Sequence, residues 1–268
     1  MEMINSLNDY INFIVNFYSE GKYTKHLFFR GLCDKTFELL PSVFRPNKSN
    51  GKTFDEKTIY LDFMQYAPEN NLVYDFIRDS DKVLAEMQHY GIPTRLLDWT
   101  VNPLIALYFA CLDDTKDGKV YIFNPWGYNN LISDYSIPNN HDQNIYARSL
   151  LVYHWDDDDI TLFNYVKEKF HSSSNQFSLD YPFAYVAQFT NKRKLSQRGC
   201  FLIYGKDTKP FEKMEKSKSF LTELIINKDS KKIILNQLNM IYINDYTVYP
   251  DYNGMEKMIK NRGSLFNL

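Results

Sequence analysis

Glycine and proline are scarce, ten of each in 268 residues, which excludes a collagen-like, low-complexity or linker-dominated chain. The three cysteines, Cys33, Cys111 and Cys200, are odd in number, far apart and without a CxxC pair. They exclude a disulfide framework and read as reduced thiols of a cytoplasmic protein. Neither sign of charge dominates: 31 Lys and Arg against 33 Asp and Glu leave a formal net charge of −2, which points to neither nucleic acid nor membrane. No window approaches the roughly 18 apolar residues of a membrane span. Met1–Tyr18 is interrupted by Glu2, Asn5, Asn8, Asp9 and Asn12 and has no basic leader, so it does not read as a signal peptide. GxGxxG, GK[ST], HExxH and Gly-x-Ser-x-Gly are all absent. The run Asp156–Asp159 places consecutive carboxylates that cannot all face one ion on regular structure, so no metal is expected. What the chain has in plenty is aromatic residues, 21 Tyr and 20 Phe, enough for an ordered core.

The pattern predicts an α+β protein of one domain, with a central mixed or antiparallel sheet and an N-terminal helical part. Ile4, Leu7, Ile11, Ile14, Val15 and Tyr18 recur at helical spacing within residues 1–25, with Ser6 or Asn5 as cap. His26–Arg30 reads as an aromatic strand closed by Gly31. Phe54–Tyr66 and Leu72–His89 read as helical, Arg95–Asp98 as a strand or turn, and Pro103–Cys111 as a helix with Pro in its first turn. Lys119–Asn124, Phe183–Phe189, Cys200–Tyr204 and Leu221–Ile226 read as strands, Lys231–Leu238 and Gly254–Lys260 as helices, and Thr247–Tyr249 as a strand or turn. Residues 127–176, polar and Asn-rich, read as an insertion or lid.

Candidate chemistry concentrates in Glu86–Cys111. It places His89, Thr94, Arg95, Asp98, Trp99 and Thr100 just before an apolar helix, a density of polar groups that packing does not require. Arg30, at a strand end before Gly31, offers a fork for phosphates while Gly31 admits a ligand to the backbone; the plainer alternative is an ion pair with Glu38 or Asp34. His89 is a general acid or base, or a helix-terminal residue bonding a carbonyl. Thr100 can cap the following helix, and Trp99 can be core or stack on a ligand ring. Asp98, between Leu97 and Trp99, is expected to be partly buried with Arg95 or Arg30 as its partner. Gln197 can donate to a ligand oxygen but cannot act as a base. Lys192–Lys232 carries twelve basic residues against five acidic, interleaved with Phe201, Tyr204, Phe211 and Phe220, a pattern compatible with single-stranded nucleic acid.

LFFRG at Leu27–Gly31, QHYGIPTRLLDWTVNPLIALYFA at Gln88–Ala110, KRKLSQRGCF at Lys192–Phe201 and the segments at Lys231–Gly254 resemble the FRG domain family, named for its Phe-Arg-Gly motif. Phe29-Arg30-Gly31, then Asp98-Trp99-Thr100 before an Ala- and Phe-rich helix, are also similar to elements of arginine-class ADP-ribosyltransferases. Gln197 falls where that group has a glutamate. The second resemblance implies an NAD-utilising enzyme without metal, transferring ADP-ribose to a macromolecule or to water, in the setting of a bacterial toxin or anti-phage effector. It implies that Arg30, Gly31, Thr94, Arg95, Trp99 and Thr100 bind the nucleotide, and that Asp98, Gln197 and His89 carry the chemistry. The glutamine implies a second reading, a nucleotide-binding module without catalysis.

Overall fold

The computed structural model describes residues 2–21, 27–47, 49–70, 74, 79–133, 180–186 and 192–262. Among them, seven strands form one sheet: β1 (Glu2–Ile4), β2 (Phe28–Leu32), β3 (Leu96–Thr100), β4 (Gly118–Phe123), β5 (Phe183–Tyr185), β6 (Gly199–Ile203) and β7 (Leu221–Ile226). Their spatial order is β1-β7-β4-β2-β3-β6-β5. β1 runs parallel to β7 and the other neighbours are antiparallel, so the sheet is mixed and the fold α+β. The α-helices among the described residues are α1 (Leu7–Glu20), α2 (Glu56–Tyr66), α3 (Ser80–His89), α4 (Pro103–Ala110), α5 (Pro125–Ser133), α6 (Lys192–Gln197), α7 (Lys228–Met240), α8 (Asp245–Val248) and α9 (Tyr252–Arg262).

Apolar residues on the two sides of the sheet build two clusters. Phe29, Val120, Ile122, Leu224 and Ile226 pack with Tyr10 and Ile14 of α1, Ile105–Leu107 of α4, and Ile234 and Leu238 of α7. Phe28, Leu97, Trp99, Tyr121 and Phe123 pack with Tyr60, Leu84, Tyr128 and Phe211. At full burial each such side chain contributes roughly 1.5–3 kcal/mol.

Two ladders run for five residue pairs, β2 with β4 and β3 with β6, whereas β2 and β3 share one pair, Phe29 with Thr100. The sheet is therefore open along the seam between β2 and β3. α4 lies hard against β2 there. A Cβ on Gly31 would collide with the Ala106 carbonyl, and one on Gly118 would meet the Ala110 carbonyl at 2.4 Å. Gly31 lies inside β2 instead of closing it, and its missing side chain admits α4. Gly31→Ala should cost about 1–3 kcal/mol through overpacking. Thermal unfolding of the variant checks this, and an unchanged midpoint would mean that α4 shifts freely.

Other expectations are corrected. The chain begins with β1, which the helical reading of residues 1–25 missed, and Ser6 caps α1 by accepting from Asp9 N at 3.1 Å. Ile11 and Val15 are exposed, so the buried stripe of α1 is narrower than its sequence pattern. Asn102, not Thr100, caps α4 through a 3.0 Å bond from Leu104 N. Residues 247–249 end a short helix, α8, held by a capping box between Asn244 and Thr247. Tyr128 and Ile132, inside the expected insertion, are core residues of α5; most of the rest of that segment, with Asp156–Asp159, lies outside the described residues.

Candidate functional site

A cleft of about 220 Å³ sits at the β2–β3 seam. Phe29, Arg30, Gly31, Asp98, Trp99, Thr100 and Phe201 line it from the sheet, Ala85, Gln88 and His89 from α3, Ile105 and Phe109 from α4, and Arg193, Lys194 and Gln197 from α6. Strand register explains the sheet contribution. Phe29 pairs with Thr100 and Asp98 with Phe201, and alternate residues share a face, so Phe29, Gly31, Asp98, Thr100 and Phe201 point the same way. Arg198, at φ 49°, turns the chain from α6 into β6, and Thr100 Oγ1 donates to the Gln197 carbonyl at 2.6 Å. These two local features bring α6 onto the seam.

Of the residues expected to line one cleft, Arg30, Asp98, Thr100 and Gln197 do so, together with Gly31, His89 and Trp99. Their roles differ from expectation in several cases. Arg30 pairs with neither Glu38 nor Asp34, which bind Lys213 and Lys116. Its Nη1 donates instead to the Asp98 carbonyl, an acceptor left open where the ladder stops, and its Nε is buried with no acceptor. Burial pulls the Arg30 guanidinium below its ordinary pKa, and the nearby Asp98 charge opposes that shift. The Asp98 carboxylate is exposed, not partly buried, so it faces solvent and the cleft and forms no pair with Arg95. Trp99 is 3% exposed and packs on Phe123 and Phe211 at ring-centroid distances of 5.3 and 6.5 Å, so its ring is core and not a stacking platform.

Thr94 and Arg95 do not line the cleft. Arg95 is buried against Glu56 of α2, with Nε at 2.6 Å and Nη2 at 2.5 Å from Oε2, while its backbone N donates to Oε1 at 2.9 Å. Nη1 also donates to the Tyr204 carbonyl at 3.2 Å. The reason is direction: Arg95 stands one residue before β3, where its side chain turns under the sheet end. Thr94 Oγ1 donates to Gln88 Oε1 and accepts from Leu96 N at 3.2 Å. It therefore orients Gln88, which does line the cleft. Gln197 Nε2 donates to the Val248 carbonyl at 3.1 Å and ties α8 to α6.

The sequence reading missed Lys194, which is 9% exposed and places Nζ 5.8 Å from the Phe201 ring centre. Burial pushes this lysine down to about 8, while Glu86, Asp98 and Asp81 pull it back up. Arg193 lies 4.7 Å above the Tyr249 ring. Both belong to the KRKLSQRGCF run, but their convergence on Asp98 depends on the turn at Arg198. Electrostatically the cleft holds Arg30, Arg193 and Lys194 against the carboxylate of Asp98, so it suits an anionic ligand. Among the described residues no group of three or more His, Cys, Asp or Glu is placed to hold a metal ion, and no helix is long and apolar enough to cross a membrane.

Of the aromatics interleaved in the basic segment, Phe201, Tyr204 and Phe211 are buried and Phe220 is half-buried. Lys231 is interior, donating to the Cys33 carbonyl at 2.7 Å and the Asp113 carbonyl at 2.5 Å.

These observations define an α+β protein with a cationic cleft at the split of a mixed sheet. A family model, the FRG domain, matches residues 25–119, a stretch that is similar to that domain. It supplies β2, β3, α3 and α4, and thus Arg30, His89, Asp98 and Thr100; Arg193, Lys194 and Gln197 come from beyond it. No curated protein and no solved structure matches the chain. The comparisons lend no support to the ADP-ribosyltransferase resemblance.

Proposed function

We propose that the cleft binds NAD or a related dinucleotide, and that the chain cleaves the nicotinamide–ribose bond and passes ADP-ribose to a macromolecule or to water. The observation that carries this reading is the meeting of Arg30, Asp98 and Thr100 with the cations of α6 in one cleft. At about 220 Å³ the cleft is smaller than the roughly 300–1,000 Å³ of drug-sized sites. In this reading it takes the nicotinamide–ribose end, with the phosphates among the cations. Phe29, Ile105 and Phe109 supply an apolar side for the ring. As the C1′–N bond breaks, its electron pair leaves with nicotinamide and positive charge grows on the ribose. Asp98 is the carboxylate placed to stabilise that charge. The acceptor oxygen then bonds C1′ and releases its proton, for which His89 is a candidate base.

The second reading, a binding module without turnover, is favoured by Gln197, which is uncharged and already engaged with the Val248 carbonyl. Incubation with NAD and measurement of free nicotinamide separates the two, because a module binds NAD calorimetrically and releases none. Arg30→Lys should weaken NAD roughly tenfold or more, the equivalent of one charge-assisted hydrogen bond. A lysine can still reach the Asp98 carbonyl but lacks a second directed donor for the ligand. Equal NAD affinity in the two forms would assign Arg30 to the seam alone.

A further inference from the structure

We propose that Arg193 and Lys194 of α6 are the anion seat of the cleft and receive the pyrophosphate of the bound dinucleotide. This rests on the nucleotide reading above and moves its main phosphate contact from β2 to α6. Four observations lead there. Arg30 Nη1 is already committed to the Asp98 carbonyl, which leaves its fork only partly available to a ligand. Arg193 and Lys194 both line the cleft, anchored over Tyr249 at 4.7 Å and over Phe201 at 5.8 Å respectively. Phe201 is the register partner of Asp98, so the Lys194 ammonium sits next to the one cleft carboxylate, on the same face of the sheet. Finally, Arg30 Nε is a buried donor without an acceptor at the same seam. An orphaned donor there is explained by a ligand oxygen. A dinucleotide whose pyrophosphate lies against α6 meets Arg193 and Lys194 and leaves Asp98 facing the sugar.

A rival role for Lys194 is neutralisation of nearby carboxylates. Glu86 and Asp81 approach it from α3 and Asp98 from β3, while Asp245 of α8, which packs on α6, accepts from Tyr108 Oη at 2.7 Å. The roles separate in calorimetry of the full chain with ADP-ribose, which has the pyrophosphate but no nicotinamide bond to cleave. Arg193→Met and Lys194→Met should each weaken ADP-ribose about tenfold or more, and Lys194→Arg should restore most of the loss. Wild-type affinity should fall between about pH 7 and about pH 9, as Lys194 loses its proton, and stay flat in Lys194→Arg. If Lys194→Met fails to fold by circular dichroism, Arg193→Met and the pH profile carry the test. Wild-type affinity in both Met variants, or a wild type that does not bind ADP-ribose, overturns the seat. ADP-ribose binding that depends on α6, without nicotinamide release from NAD, keeps the seat and removes the enzyme. Nicotinamide release that persists undiminished in both Met variants does the reverse.

Discussion

Glu56→Ala is expected to lower the unfolding free energy by about 3–5 kcal/mol, the usual cost of stranding one member of a buried ion pair. Glu56 and Arg95 have side chains 7% and 6% exposed, and the carboxylate takes the Arg95 guanidinium through Oε2 and its backbone N–H through Oε1. Without it, Arg95 keeps the Tyr204 carbonyl alone, and the entry to β3 loses its tie to α2. Denaturant unfolding measures the loss. A double variant, Glu56→Leu with Arg95→Met, should recover much of it, since an apolar pair of similar size strands no charge. A single variant within about 1 kcal/mol of wild type would show the pair to be solvated and the account of Arg95 mistaken. Neither change touches a cleft-lining residue, so in the double variant ligand binding should survive.

Asp98→Asn is expected to reduce nicotinamide release about 10²-fold, the scale of losing one preorganised electrostatic group at a charged transition state. The structure makes this a cleaner test than the sequence promised. Asp98 is exposed, and Arg30 holds its main-chain carbonyl, which the substitution leaves in place. Thermal stability should therefore stay near wild type while turnover falls. Turnover equal to wild type would show that Asp98 does not face the reacting carbon. A change at Gln197 is less informative. Its amide donates to the Val248 carbonyl, so a glutamate there would set a carboxylate against a carbonyl oxygen and loosen α8. Any added charge in the cleft would be confounded with that movement.

Much of the fold was legible in local pattern. LTELII at Leu221–Ile226 forms β7 over the predicted residues, KVYIF lies within β4, and Pro103 stands in the first turn of α4 as expected. Strand and helix periodicity, caps and turn residues act over a few positions, so the sequence reports them directly. The density of polar residues in Glu86–Cys111 marked a wall that packing alone does not demand, and His89, Asp98 and Thr100 from it line the cleft. The partner of each charged side chain was not legible. Arg95 and Asp98 are three residues apart, yet one turns to Glu56, 39 positions away, and the other faces solvent. Gly31 admits α4, a requirement set by residues 106–110. Lys194 enters the cleft only because Arg198 turns α6 back over the seam. Element type follows from short-range backbone preference, which the sequence by itself determined. Which charges meet, and which cavity stays open, depends on where long-range packing stops the β2–β3 ladder, and only the tertiary structure decided that.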